Sequence, residues 1–145
     1  MKISTKGRYA LRMLLDLAEH RNDGVVALKD IAERQGISKK YLEQIIPILN
    51  QSGILQTVRG SQGGYRLSRS PDNYTVGDIL RLTEGSLAPV PCADEDPVRC
   101  ERSEDCAMLS VWQGLNKVIR DYLDSITLQD ILDRHREQSG NDYVI

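Results

Sequence analysis

The apolar pattern changes character at Ile54, and that change limits the fold more than any other feature of the chain. Before it, apolar residues recur at helical spacing. Ala10, Met13, Leu14, Leu17 and Ala18 follow the i, i+3, i+4, i+7, i+8 rule of one buried face, predicting a helix over about Ser4 to His20. Asn22-Asp23-Gly24 ends it. A short helix follows over about Leu28 to Gln35, with Ile31 and Ala32 inward and Gly36 as its C-terminal stop. Ser38 is placed to cap a third helix over about Lys39 to Gln51, with Leu42, Ile45, Ile46 and Leu49 inward. Pro47 sits inside that helix and should bend it. After Ser52-Gly53 the pattern turns strand-like, over Ile54 to Arg59 and Tyr65 to Arg69, with Gly60, Gly63 and Gly64 in the loop between. A long helix, a short helix, a glycine turn, a third helix and a glycine hairpin make the order of a winged helix-turn-helix.

The second half is organised differently. Ser70-Pro71-Asp72-Asn73 reads as a turn, and Thr75 with Asp78 as a capping box for the next helix. Residues 85–106 are irregular, with Pro89, Pro91, Pro97 and all three cysteines. From about Ala107 to Ser125 comes the longest helix. Met108, Trp112, Leu115, Ile119, Tyr122 and Ile126 repeat at alternating spacings of four and three, a heptad seam suited to a partner helix. Thr127 with Asp130 starts a short last helix, and residues 139–145 read as a tail. The expected fold is mainly α: a winged helix-turn-helix with a two-stranded wing over residues 1–74, then dimerisation helices with a cysteine loop (85–106) over residues 75–138.

Charge is split between the halves. Residues 1–74 hold twelve Lys/Arg against seven Asp/Glu, and residues 75–145 hold seven against fourteen. A basic half joined to an acidic half suggests that the first meets phosphates. No run of about 18 apolar residues exists, and the start shows no apolar signal segment, so a cytoplasmic protein without a membrane partner is expected. No nucleophile–base pair, P-loop or metal-hydrolase pattern is visible, which argues against an enzyme.

The predicted third helix presents Lys39, Lys40, Glu43 and Gln44 outward beside Ser38 and Tyr41. Near the N-terminus of a recognition helix these can serve guanine or phosphate, cytosine and adenine. Lys6 and Arg8 could grip the DNA backbone from the first helix, as could Arg12. The wing reads Arg59-Gly60-Ser61-Gln62-Gly63-Gly64, where an Arg can enter a minor groove and glycines allow close approach to phosphates.

Cys92, Cys100 and Cys106 are an odd number of thiols, so one set of intramolecular disulfides cannot use them all. Their spacing matches neither paired zinc ligands nor a redox dithiol. A metal, a cluster or free thiols remain open, and thiolates are the usual ligands of iron–sulfur clusters.

Several motifs together resemble one family. Lys6-Gly7-Arg8-Tyr9-Ala10, Gly36-Ile37-Ser38, Tyr41-Leu42-Glu43-Gln44, Val58-Arg59-Gly60 and Gly63-Gly64-Tyr65 are similar to the iron–sulfur cluster regulators of the IscR, NsrR and CymR type. The resemblance runs from Met1 to about Leu132. It implies a homodimeric transcription regulator, chiefly a repressor, that binds palindromic double-stranded operators and pairs its long C-terminal helices. It also implies base or groove contact by Glu43, Gln44 and Arg59. For Cys92, Cys100 and Cys106 it implies an iron–sulfur cluster, with 2Fe–2S favoured. The position where some members carry a histidine ligand is Leu109 here, and that of an acidic ligand in others is Arg8. Glu104, Asp105, His135, or an exogenous thiol or water are then the candidates for a fourth ligand. CymR-like members of the family imply the alternative of a thiol, zinc or protein-partner sensor on the same DNA-binding body, controlling for example cysteine or sulfur metabolism.

Overall fold

A computed structural model describes residues 2–94 and 100–141. Six helices and one hairpin follow in chain order: α1 (Thr5–Glu19), α2 (Leu28–Gln35), α3 (Lys39–Gln51), β1 (Leu55–Val58), β2 (Gly64–Leu67), α4 (Val76–Glu84), α5 (Leu109–Asp124) and α6 (Leu128–Asn141). The helix starts are chemically marked. Ser4 accepts the Gly7 N–H, Ser38 the Tyr41 N–H, and Thr75 forms a full capping box with Asp78. α2 stops at Gly36, whose φ of 63° is left-handed, and its N–H bonds back to the Ala32 carbonyl. That turn sets the angle between α2 and α3.

β1 and β2 pair antiparallel, with Leu55 opposite Leu67 and Thr57 opposite Tyr65. The hairpin is seated on the body by a bridge in which Val26 and Tyr65 exchange both backbone bonds at 2.8 Å. α3 continues through Pro47 with the ring exposed. The missing N–H at Pro47 leaves the Glu43 carbonyl without its helical donor.

The main core joins the apolar faces of α1 and α3 to Ile31, Ile37, Ile54 and Leu55. It also takes in Tyr74, Ile79 and Leu128, so packing crosses the expected boundary at 74/75. A second cluster of Val76, Leu80 and Ile126 lies beside it. Two backbone bonds fix the α5–α6 junction there: Val76 N–H to the Ile126 carbonyl (2.9 Å) and Leu128 N–H to the Tyr74 carbonyl (2.9 Å). Thr127 and Asp130 form the expected reciprocal cap, but α6 is not short. It runs on to Asn141, into the segment read as a tail, and residues 142–145 lie outside those described.

Candidate nucleic-acid interface and cysteine loop

α3 buries Leu42, Ile45, Ile46 and Leu49, and this face forces Lys39, Lys40, Glu43 and Gln44 outward. All four are exposed. Two neighbours are engaged elsewhere. Ser38 uses its hydroxyl as the α3 cap at 3.1 Å. Tyr41 is half-buried and packs edge-on against Tyr9 of α1, with ring centres 5.3 Å apart. Arg12 lies over the Tyr9 ring and donates to the Gln35 carbonyl, the last residue of α2. It therefore caps α2 instead of standing free for a phosphate. Arg8 is exposed, with one nitrogen 3.0 Å from the Thr5 hydroxyl, and Lys6 is half-buried.

A group the sequence reading passed over holds this arrangement. Asp16 lies on the apolar face of α1 with 1% of its surface exposed. It accepts two bonds from Arg34 (2.7 and 3.0 Å) and one from Gln35 (2.9 Å). Asp16, hydrogen-bonded to it, raises the Arg34 guanidinium above its ordinary value. The signal in sequence was a carboxylate three residues after Met13 and one before Leu17, where the helical pattern calls for an apolar side chain.

The wing rises beside the N-terminal turns of α3. Between them lies a cavity of about 400 Å³ lined by Lys39, Glu43, Thr57, Arg59, Gly60 and Tyr65. Arg59, Gly60, Ser61 and Gln62 are all exposed. Gly63 and Gly64 have a reason within the chain itself. A Cβ on Gly63 would sit 2.1 Å from the Val58 carbonyl, and one on Gly64 2.3 Å from the Val26 carbonyl. Both glycines admit the chain's own backbone.

Cys92 sits half-buried in a single turn, Pro91–Ala93, while Cys100 and Cys106 are exposed. All three are free thiols. Their donor chemistry fits a thiolate-held group, since three soft ligands lie on one stretch of chain. They are not preassembled: among the described residues no three His, Cys, Asp or Glu side chains come together. Of the candidate fourth ligands, Glu104 and Asp105 are exposed, and His135 borders a cleft with Leu15, Asp16 and Ile131 between α1 and α6.

α5 has two faces. Trp112 and Ile119 are half-buried against the body and Asn116 is buried. Met108, Val111, Leu115, Val118 and Tyr122 are exposed, Val118 at 65% and Tyr122 at 61%. The unpartnered stripe thus keeps Met108, Leu115 and Tyr122 of the expected seam and adds Val111 and Val118. Trp112 and Ile119 fall on the half-buried face, and Ile126 lies in the chain's own second cluster with Val76 and Leu80. No described helix is long and apolar enough to cross a membrane.

Residues 3–134 match the Rrf2 family of iron-dependent transcriptional regulators. The chain belongs to that family. Protein rrf2 of Nitratidesulfovibrio vulgaris is 40% identical over 132 residues, which cover 91% of this chain and 87% of that protein. Among solved structures, T. potens IscR is 44% identical with a TM-score of 0.77, over 95% of this chain and 90% of that one. CymR (YrzC), the global cysteine regulator of B. subtilis, is 38% identical with a TM-score of 0.76, over 92% and 98%. This Rrf2 member is a winged-helix DNA-binding transcription regulator and not an enzyme.

Proposed function

We propose that this Rrf2 regulator is a homodimeric, cytoplasmic repressor whose grip on a palindromic operator is set by an iron–sulfur cluster on Cys92, Cys100 and Cys106. The observation that carries the reading is the position of the three thiols, between the α4 body and the exposed stripe of α5. In this reading Lys39, Lys40, Glu43 and Gln44 read base edges in the major groove. Arg59, Gly60, Ser61 and Gln62 follow the backbone into the minor groove, and Lys6 and Arg8 meet phosphates. A bound cluster supplies covalent cross-links among the three thiolates, with 2Fe–2S favoured by the likeness to IscR. The test is purification without oxygen, with the visible spectrum, iron and acid-labile sulfide measured on one sample. Iron and sulfide with charge-transfer bands are expected. A colourless, iron-free protein after anaerobic reconstitution sinks the reading.

A second reading rests on the exposure of Cys100 and Cys106 and on the likeness to CymR. There the same DNA-binding body carries a thiol, zinc or protein-partner sensor. Zinc without sulfide, or a disulfide between two of the three cysteines, selects it.

A further inference from the structure

We propose that Asn116 is the positioning residue that ties the Cys92 turn to α5, so that a change at the cysteines reaches the dimer helix through this side chain. The inference rests on the reading of the cysteines as the sensor, but its first test does not. Asn116 is the one buried side chain on α5 among the described residues, at 6% exposure on an otherwise half-buried or exposed helix. Its side-chain amide donates to the carbonyl of Ala93, one residue past Cys92, at 3.1 Å. A buried amide is costly to desolvate unless it is bonded, so this bond fixes which part of the loop sits on the helix.

The same turn is held a second time, one residue further on. The Ser86 hydroxyl donates to Asp94 at 2.6 Å and accepts the Ala88 N–H at 3.1 Å, so the turn is latched to the segment that leaves α4. Two anchors thus hold the residues that directly follow Cys92, while Cys100 and Cys106 are exposed. At the start of α5 the Leu109 N–H donates to the Cys106 carbonyl at 3.3 Å, and no side-chain cap stands beside it among the described residues. Its N-cap, Met108, makes no side-chain cap bond, and its first turn carries no acidic residue. Its far end is held to α4 by Arg81 and Asp124 at 2.8 Å. Apart from that one backbone bond, the near half of α5 takes its position from the face that carries Trp112 and Asn116. Whatever moves Cys92 pulls on the Ala93 carbonyl, and through Asn116 on the helix that carries the exposed stripe.

The test compares the native full-length protein with Asn116→Leu, which keeps the volume and loses the donor. Hydrogen exchange of the metal-free proteins comes first. The amides of Ala93 and Asp94, which close the turn onto Val90 and Pro91, should exchange at least tenfold faster in the variant, with those of the α5–α6 junction unchanged. Unchanged exchange at the turn overturns the tie, whatever metal the protein binds. The second arm measures operator affinity with and without the reconstituted cluster. The variant should match native iron and sulfide content, while the ratio of the two affinities falls at least tenfold towards one. A native ratio, or an equal loss in both states, overturns the coupling role. If Asn116→Leu fails to fold, Asn116→Ser, whose hydroxyl is too short to reach Ala93, is judged by the same two readouts. Native protein that takes up no iron refutes the cluster reading alone, and the exchange result still decides the tie.

Discussion

Asp16 and Arg59 mark opposite uses of charge. Asp16 is buried and bonded on every side that matters to α2, and Arg34, its partner, is about a third exposed. Asp16→Ala removes three charge-assisted bonds but leaves Arg34 able to recover water. The expected cost is therefore nearer to lost hydrogen bonds than to a stranded buried ion, about 2–3 kcal/mol by chemical denaturation. Operator affinity should fall with it, because the α2 end that Asp16 and Arg12 hold sets the angle of α3. Arg59 sits at the open end of the wing cavity and does no folding work visible there. Arg59→Ala should keep the native melting temperature and weaken operator binding by about 1–3 kcal/mol, with the log–log salt slope reduced by about 1. Normal binding by this variant across salt concentrations would remove the wing from the DNA interface.

Elements were legible in sequence to the extent that one face alone decides them. α2 and α3 match their expected bounds because Gly36 and Ser38 carry conformational instructions that no distant contact overrides. For Gly63 and Gly64 the structure adds a reason that sequence could not show, since close approach of Val58 and Val26 is a tertiary fact with no local signature. Gly7 is similar: a Cβ there would sit 2.4 Å from Glu84, the carboxylate that accepts from both the backbone N–H and the hydroxyl of Ser4. Trp112 and Ile119 of the expected α5 seam are half-buried and Ile126 is buried, because spacing cannot tell an apolar face that meets a partner from one that meets the chain's own body. α6 was read as short because its outer turns are polar on all sides, and only its cap marks a helix. That cap makes a pH prediction. The Thr127 backbone N–H, then its hydroxyl, hold Asp130 below its ordinary value of 3.8. A carboxylate lowered by folding adds stability that is complete above 3.8 and is lost as pH falls through the folded value. In acid titrations followed by circular dichroism, Asp130→Asn should be less stable than the native chain near neutrality and converge with it at the acid end. A constant gap across the whole range would show that the Thr127 bonds are not what the carboxylate contributes.

At the scale of the whole molecule, one chain buries its core and leaves a second apolar surface open. Met108, Val111, Leu115, Val118 and Tyr122 fall at spacings of three and four along one side of α5, a geometry that suits packing against a partner helix, here proposed to be that of a second copy. In the proposed dimer, two-fold symmetry brings each residue of the stripe into play twice. Leu115 stands at its centre, and its side chain adds nothing to either core cluster of the chain. Leu115→Lys should therefore leave helix content intact. Each chain loses the burial of one leucine, about 1.5–3 kcal/mol. The pair then loses about 3–6 kcal/mol, which raises the dimer dissociation constant by about a hundredfold to ten-thousandfold. Sedimentation at micromolar concentration should move from dimer to monomer. Operator binding should fall with it, because a monomer holds one half-site and forfeits the linked second contact. The same variant separates two origins of weak binding. If Leu115→Lys remains dimeric yet binds operator poorly, the stripe faces something other than a second copy. If it is monomeric and binds an isolated half-site as well as the native chain does, the DNA-reading surface of α3 and the wing is complete in one chain, and α5 serves only to double it.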